Sequence, residues 1–589
     1  QSTWGKKNGK HQCTLSLQNV NGICLLQSNS KHNIRHNLLP TLSPPVTRSF
    51  PWAAGSQRSF SQSLGRRPFM TLAQRSADPE QQPQRAGMRL IVPLQAVVQG
   101  RGGLFLGTLV PCGLFYFLQL YLKRRSGNSP SNSSNPPSPS TSSPRLGDLI
   151  RSSSRTNFFY RGGSAPPRIS NRAASIAKPT DSAYYLGLER ASEDPYDQRL
   201  NPDGIIQLGF AENRLCLDMH EQWMNDNISP IGGSIYEIAP YLPFDGSPEF
   251  KLKVSAFMSR VMGGVPFDSS RVILTSGATS AIEILSFCLA DHGNAFLIPT
   301  PYYPGYDKDV RWRAGVELIP VHCRSTDNFM LSITALDQAY NQARKRGMKV
   351  RGVIICNPMN PIGTPMPRQL LFDILDFARE RNVHVISDEV FAGSVHGADE
   401  FVSMAEVIES EDSDRDRVHI VYGLSKDLGI PGFRVGVIYS HNEDVVAAAK
   451  KLCRFSSVSG VTQKVLVNLL GDERFVEEYI ARSRVRLGKI CGMFVEGMRE
   501  IGVPCLASSA GFYCWVNLSD FVSSYSEKGE VELWEKLIGV GKVNATPGSA
   551  CHCIEPGWFR CCFSTLSEDD FPLLMNRIRN VLVSCKSRG

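Results

Sequence analysis

Acidic side chains are almost missing from the first quarter of this 589-residue sequence. Residues 1–147 contain 17 Lys and Arg but only Asp78 and Glu80 as acids, whereas residues 148–589 contain 47 basic and 53 acidic residues. The formal net charge of +9 therefore comes from the N-terminal part. A nucleic-acid-binding domain needs its positive charge on the folded surface. The charge distribution thus argues against a nucleic acid as a partner.

Cysteine is too sparse for a disulfide-stabilised scaffold, with 16 residues in the whole chain. No metal-ligand spacing is repeated, and the nearest candidates are Cys551-His552-Cys553 and Cys561-Cys562. Cysteines in apolar runs are typical of reduced, packed thiols. We therefore expect no metal site and a reducing compartment.

Residues 1–77 contain no acid and are rich in Ser, Asn and Gln, without a sustained period. This composition is typical of a transit peptide, but also of a leader translated upstream of the true start. Because the chain begins with Gln1, we favour the leader, with Met70 and Met88 as candidate initiators. Residues 1–87 are accordingly interpreted as a basic leader, disordered or missing from the mature protein. A plastid location is the alternative.

Charge is also missing from residues 103–122, GLFLGTLVPCGLFYFLQLYL. Twenty helical residues rise about 30 Å, which matches the hydrocarbon core of a bilayer. The basic cluster at residues 123–125 stands where a signal peptide would have small residues. We predict that residues 88–125 form a single-pass membrane anchor. The positive-inside rule then places the downstream part of the chain in the cytosol.

Residues 126–143 consist only of Ser, Gly, Asn, Pro and Thr, and polar sequence continues to about residue 175. Such a composition is typical of a flexible linker. The globular part is therefore expected within residues 176–589. We predict a large domain at about 240–450, and a smaller α+β domain from the N-terminal arm and about 455–589.

Short apolar runs alternate with helical stretches in this globular part. The predicted strands are Ala295–Pro299, Val350–Cys356, Val383–Ser387, Val418–Tyr422 and Val435–Tyr439, and the clearest helices are Ala278–Leu289 and Gln369–Arg381. The alternation predicts an α/β fold with a mainly parallel sheet. Ligands bind at the carboxyl ends of the strands of such sheets.

Polar residues follow these strands, as a ligand site requires. Asp388 comes directly after one apolar run, and Lys426 follows another. Taken alone, Asp388 is more often a helix cap or ion-pair partner, and a single Lys is usually a surface charge. A Lys at the mouth of a sheet is different, because desolvation lowers the pKa of its amine and makes it a nucleophile and a base.

Anion-binding groups complete the set. The run SGATSA at residues 276–281 lies between a strand and a helix, where backbone N–H groups bind phosphate. Arg434 could clamp the same phosphate, and Arg560 suits a carboxylate. Asn360 follows a further strand. An amine, an acid and a phosphate cradle are the parts that pyridoxal phosphate requires.

Longer motifs around these residues resemble those of fold-type I pyridoxal-phosphate enzymes, and within them the plant 1-aminocyclopropane-1-carboxylate (ACC) synthase family. The resemblance extends from about Tyr184 to Met575, and the extended N-terminus is most like the divergent, membrane-anchored aminotransferase-type members. The motifs are GFAENRL, PTPYYPGYD, NPMNPIGT, SDEVFAGS, GLSKDLGIPGFRVG and PGSACHCIEPGWFR. The resemblance implies a seven-stranded sheet and a homodimer.

The resemblance also implies roles for individual residues. Lys426 would hold pyridoxal 5′-phosphate as a Schiff base, Asp388 would pair with its ring nitrogen and Tyr303 would stack on its ring. Asn360 would bond the ring oxygen and lie near the substrate. The implied phosphate ligands are Gly277, Ala278, Thr279, Ser425 and Arg434. The implied substrate ligands are Arg560 for the α-carboxylate and Glu212 near the amino group.

Three positions depart from the pattern of the family. Phe244 replaces a Tyr that reaches across the dimer to the phosphate, Phe391 replaces a Tyr that bonds the ring oxygen, and Gly423 replaces a Ser at the phosphate. Each change removes a side-chain hydrogen bond of roughly 0.5–1.5 kcal/mol. We predict weaker retention of the cofactor and a raised pKa of its Schiff base.

The presence of Lys426 does not show which reaction of the family this chain carries out, because both reactions use this residue. The three substitutions and the anchored architecture favour transamination between an amino acid and a 2-oxo acid, because ring closure demands tighter geometry than proton transfer. One alternative is ACC synthase activity on S-adenosylmethionine. A second is a weakly active, membrane-tethered dimerisation partner.

Overall fold

The computed structural model describes residues 168–231, 235–410 and 414–586. The predicted leader, the apolar run 103–122 and most of the linker lie outside these ranges. Among the residues that are described, no helix is both long enough and apolar enough to cross a membrane.

Helices cover both faces of a central sheet and surround a smaller one. The helices before the first long strand are α1 (Asn171–Ile176), α2 (Ala183–Glu193), α3 (Leu217–Ile231), α4 (Ile235–Ile238) and α5 (Pro248–Val261). Those interleaved with the central strands are α6 (Ala278–Leu289), α7 (Tyr306–Arg311), α8 (Ile333–Lys345), α9 (Arg368–Arg381) and α10 (Met404–Ser410), and α11 (Glu443–Leu452) follows the last central strand. The remaining helices are α12 (Gly460–Gly471), α13 (Glu473–Glu500), α14 (Glu527–Gly539) and α15 (Phe571–Lys586).

The central sheet has seven strands in the order β2-β8-β7-β6-β5-β3-β4. Its strands are β2 (Val272–Thr275), β3 (Ala295–Thr300), β4 (Glu317–His322), β5 (Val350–Cys356), β6 (His384–Asp388), β7 (Val418–Gly423) and β8 (Gly436–Ser440). Strands β4, β3, β5, β6 and β7 are parallel, whereas β8 is antiparallel to both of its neighbours. The predicted α/β fold with a mainly parallel sheet is confirmed.

Side chains of this sheet alternate between two apolar layers, because successive residues of a strand point to opposite faces. Leu297, Val353 and Val385 belong to one layer. The residues that follow them, Ile298, Ile354 and Ile386, belong to the other. Burial on both faces explains why the central residues of these strands are apolar in the sequence.

Two further sheets lie in the C-terminal part. One is antiparallel, in the order β11 (Thr546–Pro547), β12 (Trp558–Cys562) and β9 (Tyr513–Asn517). The other pairs β1 (Ile206–Gln207) in parallel with β10 (Val543–Asn544). A separate apolar cluster surrounds them, with contributions from α2, α13, α14 and α15. Strand β1 thus joins the N-terminal arm to the C-terminal residues.

Candidate active site

Lys426 follows β7 at the carboxyl end of the central sheet. Its ammonium donates a hydrogen bond to the carbonyl oxygen of Ala211, at 2.5 Å, and lies 5.9 Å from the centre of the Phe391 ring. Desolvation lowers the pKa of Lys426 to about 8, and the positive charge of Arg560 acts in the same direction. A substantial share of this amine is therefore neutral near physiological pH, as a base or nucleophile must be.

Asp388 is the last residue of β6, the strand beside β7. Its side chain is buried, and it accepts hydrogen bonds from the Tyr306 hydroxyl (2.5 Å) and the Val390 backbone N–H (3.3 Å). Burial raises the pKa of Asp388 to about 6, while these hydrogen bonds and the charge of Lys426 oppose the shift. A cation facing Asp388 would favour its ionised form.

Arg560, on β12, is fully buried. Its guanidinium donates to the side-chain oxygen of Asn360 (3.0 Å) and to the backbone oxygen of Gly209 (2.8 Å). The structure assigns it no carboxylate partner in the described part of the chain, and its Nε has no hydrogen-bond partner there. A buried, uncompensated cation is costly. The site is therefore suited to an anionic ligand beside Asn360.

The predicted phosphate site lies where β2 gives way to α6. Gly277 has a φ of +87° and caps α6 without a side-chain hydrogen bond, so the first N–H groups of the helix remain available. A Cβ at Gly277 would lie 2.3 Å from Nη2 of Arg434, so only glycine leaves room for this cation. Ala278 and Ser425 are half-buried, and Thr279 is exposed.

Aromatic rings form a wall beside these cations. Tyr303 meets Tyr184 edge-on at 6.2 Å and Tyr306 edge-on at 5.6 Å between ring centres. The Arg560 guanidinium lies 5.6 Å from the centre of the Tyr184 ring. A Cβ at Gly305 would lie 2.2 Å from the Tyr303 ring, so the turn after Tyr303 requires glycine. Through its contacts with Tyr184 and Tyr306, Tyr303 belongs to the same group of side chains as Arg560 and Asp388.

Glu212 lies at the edge of this group. It forms an ion pair with Arg214 at 2.6 Å, and its charge is close enough to Lys426 to raise the pKa of that amine slightly. It also lines a cavity of about 380 Å³, together with Phe210. A role near the substrate amino group stays a prediction.

The three departures from the family pattern have different surroundings. Phe391 is buried at the site, under the Lys426 ammonium. At Gly423 a Cβ would lie 3.0 Å from the Val435 backbone oxygen, which is closer than side chains normally tolerate. Phe244 is partly exposed, and the Arg454 guanidinium lies 5.8 Å from its ring centre. Phe391 is thus the departure with the clearest place in the site of this chain.

Two polar residues that the sequence did not reveal support the site. Tyr306 holds Asp388, as described above. Asp427 accepts hydrogen bonds from the Gly393 N–H (2.7 Å) and the hydroxyls of Ser394 (2.5 Å) and Tyr422 (2.8 Å). It thereby fixes the Lys426 loop against the loop that follows Asp388. Position beside Lys426 was the only available signal for Asp427.

The cysteine–histidine run offers no metal ligands in this arrangement. The His552 imidazole pairs with Asp307 at 2.7 Å and stacks on Tyr302 at 4.5 Å between ring centres. No group of three or more His, Cys, Asp or Glu in the described ranges could hold a metal ion.

Comparison with known proteins places this site in a family. The family model described as aminotransferase class I and II matches residues 205–578. The chain is 58% identical over 509 residues to "Probable aminotransferase ACS12" of Arabidopsis thaliana, covering 85% of this chain and 100% of that protein. It is 55% identical over 514 residues to "1-aminocyclopropane-1-carboxylate synthase 6" of Oryza sativa subsp. japonica, covering 85% and 94%. It is 45% identical to synthase 9 of Arabidopsis thaliana, covering 72% and 92%.

Solved structures agree on the fold. An aspartate aminotransferase of Thermus thermophilus superposes with a TM-score of 0.57 at 20% identity, covering 70% of this chain and all of that one. An aromatic aminotransferase of Pyrococcus horikoshii gives a TM-score of 0.56 at 21% identity, covering 68% and 99%.

The side chains present fit the cofactor of this family, pyridoxal 5′-phosphate. Lys426 would hold it covalently, Asp388 would face its ring nitrogen, and the glycine-capped start of α6 with Arg434 would bind its phosphate. Arg560, which has no carboxylate partner among the described residues, would remain for the substrate carboxylate. The chain therefore belongs to the class I and II aminotransferase family of fold-type I pyridoxal-phosphate enzymes, and within it to the ACC synthase family.

Proposed function

We propose that this enzyme removes the α-proton of an amino acid, with Lys426 as the base. One observation carries the proposal: the desolvated amine of Lys426 belongs to the same site as the buried guanidinium of Arg560, which has no carboxylate partner among the described residues. An amino acid presents an amine and a carboxylate, and Arg560 with Asn360 would hold the carboxylate. The α-carbon would then lie within reach of Lys426.

Each side chain has a definite task in this step. Pyridoxal phosphate, when bound, supplies an electron sink that stabilises the negative charge formed at the α-carbon. Once the substrate amine has replaced Lys426 on the cofactor, the freed Lys426 amine would accept the α-proton, for which a pKa of about 8 is suitable. Asp388 keeps a negative charge where the ring nitrogen of the cofactor would lie, and hydrogen bonds from Tyr306 and the Val390 N–H hold its carboxylate in place. Asp427 fixes the loop that carries the base.

We propose S-adenosylmethionine as the substrate and ACC as the product. The support comes from relatives named as ACC synthases, which are 43–55% identical to this chain over 90% or more of their own length. In that reaction the α-carbon displaces methylthioadenosine from the γ-carbon of the substrate. Arg560 would hold the carboxylate while the three-membered ring closes.

Transamination is the second candidate, because a specific observation favours it. Phe391 presents an apolar ring to Lys426 where the synthase pattern has a hydroxyl, and Gly423 leaves no room for a side chain without a shift. Ring closure should suffer first from such losses. The relative that is 58% identical over its whole length is itself named as an aminotransferase. Transaminase activity stays a prediction.

The two reactions are separated by their products. The purified full chain, loaded with pyridoxal phosphate, is incubated with S-adenosylmethionine, and separately with aspartate or phenylalanine plus 2-oxoglutarate. We expect ACC from the first mixture and none from the Lys426→Arg variant. Formation of the amino donor's 2-oxo acid without ACC would replace the first candidate by the second. Cofactor binding without any turnover would overturn both, and would favour a role as a dimerisation partner.

We propose that the working form is a homodimer. Large apolar side chains near α4 and the start of α12 are exposed in the single chain: Tyr236, Tyr241, Phe244, Phe455 and Val461. Tyr241 and Phe244 contact each other at 6.4 Å between ring centres, and Phe455 follows the Arg454 that lies against Phe244. A cluster of this kind is typical of a protein interface. We call these five residues the apolar patch.

Attachment to a membrane through residues 103–122, with the catalytic part in the cytosol, is a further proposal. Alignments of 509 and 514 residues with two relatives are longer than the globular part of this chain, so those relatives share sequence upstream of it. Expression in a eukaryotic cell and membrane fractionation test the anchor. Glycosylation of the sequons at Asn132 or Asn227 would show that the catalytic part is lumenal and would contradict the orientation.

A further inference from the structure

The hydroxyl of Tyr513 is buried without a partner. Tyr513 is the first residue of β9, its side chain is fully buried, and its hydroxyl makes no hydrogen bond to any described residue. Buried hydroxyls nearly always have partners, because an unpaired one loses its hydration without compensation. An exception beside an active site needs a ligand to explain it.

Tyr513 lies among the residues that define the site. Its ring meets the Phe391 ring edge-on at 5.4 Å, and the Arg560 guanidinium lies 5.7 Å from its centre. Asp388 is near enough to help raise the pKa of Tyr513, an effect that burial dominates. A Cβ at Gly511 would lie 3.2 Å from the hydroxyl oxygen, so glycine keeps that side of the group open.

The neighbours of Tyr513 indicate what its hydroxyl would bind. Arg560 donates to Asn360, which is expected to contact the ring oxygen of the cofactor. Phe391, the position from which a hydroxyl would reach the same oxygen, presents only a hydrocarbon ring, and Tyr513 packs directly against it. Asp388 already accepts a hydrogen bond from Tyr306. The ring oxygen carries negative charge, and charged acceptors form the stronger hydrogen bonds.

We propose that Tyr513 is a cofactor-binding residue whose hydroxyl donates a hydrogen bond to the ring oxygen of pyridoxal phosphate. Tyr513 then supplies the hydroxyl that Phe391 lacks. The inference rests on the cofactor and not on either reaction proposed above.

Affinity for pyridoxamine 5′-phosphate tests the proposal, because this form binds without a covalent link to Lys426. Tyr513→Phe in the cofactor-free full chain should weaken binding about 10-fold or more, as expected for the loss of a hydrogen bond to a charged acceptor. With 3-deoxypyridoxamine 5′-phosphate, which lacks the ring oxygen, the substitution should have no effect. Adding Phe391→Tyr to Tyr513→Phe should restore binding to within about 3-fold.

A second measurement separates binding from folding. Tyr196→Phe is the matched control, because its hydroxyl donates to Asp570 at 3.0 Å and is thus part of the fold. Tyr196→Phe should lower the unfolding midpoint of the cofactor-free chain and leave cofactor affinity unchanged. Tyr513→Phe should lower cofactor affinity without lowering the unfolding midpoint. Unchanged affinity in Tyr513→Phe, an equal loss with the deoxy analogue, or a fall of the midpoint like that of Tyr196→Phe would overturn the proposal. None of these results depends on turnover.

Discussion

Tyr306 controls the charge of Asp388 at the scale of single residues. Its hydrogen bond favours the ionised carboxylate, whose pKa burial has raised to about 6. Tyr306→Phe should therefore raise that pKa further, and the loss of activity at low pH should move upward by about 1 to 2 pH units. The pH profile of the rate measures this. Tyr302→Phe, which removes a hydroxyl bonded to Asp307, should leave the acidic limb in place.

Gly277 provides a second test at this scale. A methyl group there would meet Arg434 at 2.3 Å, in a backbone conformation that favours glycine. Gly277→Ala should weaken binding of pyridoxal phosphate to the cofactor-free chain by about 10-fold or more, since it displaces Arg434, the predicted phosphate ligand. Gly432→Ala is the control, because a Cβ there meets nothing within 4 Å. Equal affinity in both variants would contradict the assigned phosphate site.

Two neighbouring strands share a histidine pair, in which His419 is buried and His384 is half-buried, and this pair sets a limit on the stability of the fold at low pH. His384 on β6 and His419 on β7 lie 3.1 Å apart between Nδ1 and Nε2. Desolvation lowers the pKa of His384 to about 4 and that of His419 to about 3. Both stay neutral in the fold, while the unfolded chain binds protons below its own pKa near 6.5. The contribution of the neutral pair to the unfolding free energy is therefore fully present above about pH 6.5 and is lost as the pH falls toward 4.

The effect is measured as a difference between variants. His384→Asn removes one titrating group and keeps a polar side chain near His419. Between pH 6.5 and 4 the wild type should lose about 3 kcal/mol more unfolding free energy than the variant. Urea unfolding at a series of pH values gives this difference. Parallel pH dependences in the two proteins would contradict the assigned effect of His384 on stability at low pH.

The sequence predicted the central strands well, for a physical reason. Strand β5 has the predicted bounds, and β3 differs by one residue, because both strands are mostly buried and mostly apolar; Arg351 is the one charged residue in β5. Strand β4 was missed, since Glu317–His322 mixes charged and apolar residues at the edge of the sheet. Lys426 and Asp388 were proposed as site residues because they follow apolar runs in the sequence. Tyr306 and Tyr513 were not, since their roles depend on partners far away in the sequence.

Dimer formation depends on the surface that the folded chain exposes. The apolar patch includes Tyr241 and Phe455, which are largely exposed in the single chain. Replacing both by Asp should shift the full chain from dimer to monomer in sedimentation velocity, because it places charge in an apolar interface. Leu200→Asp, at an exposed apolar residue outside the patch, is the control. A dimer that persists in the double variant would exclude the patch as the interface.

The role of Lys426 is tested most directly by loss of the α-proton from an amino acid, because both candidate reactions require that step. The full chain with bound pyridoxal phosphate is incubated in D₂O with S-adenosylmethionine, and separately with phenylalanine, and the α-proton signal is followed by NMR. The signal should disappear with the wild type and should decay about 10²- to 10⁴-fold more slowly with Lys426→Arg that retains the cofactor. Decay at a similar rate in both proteins would contradict the assignment of Lys426 as the base.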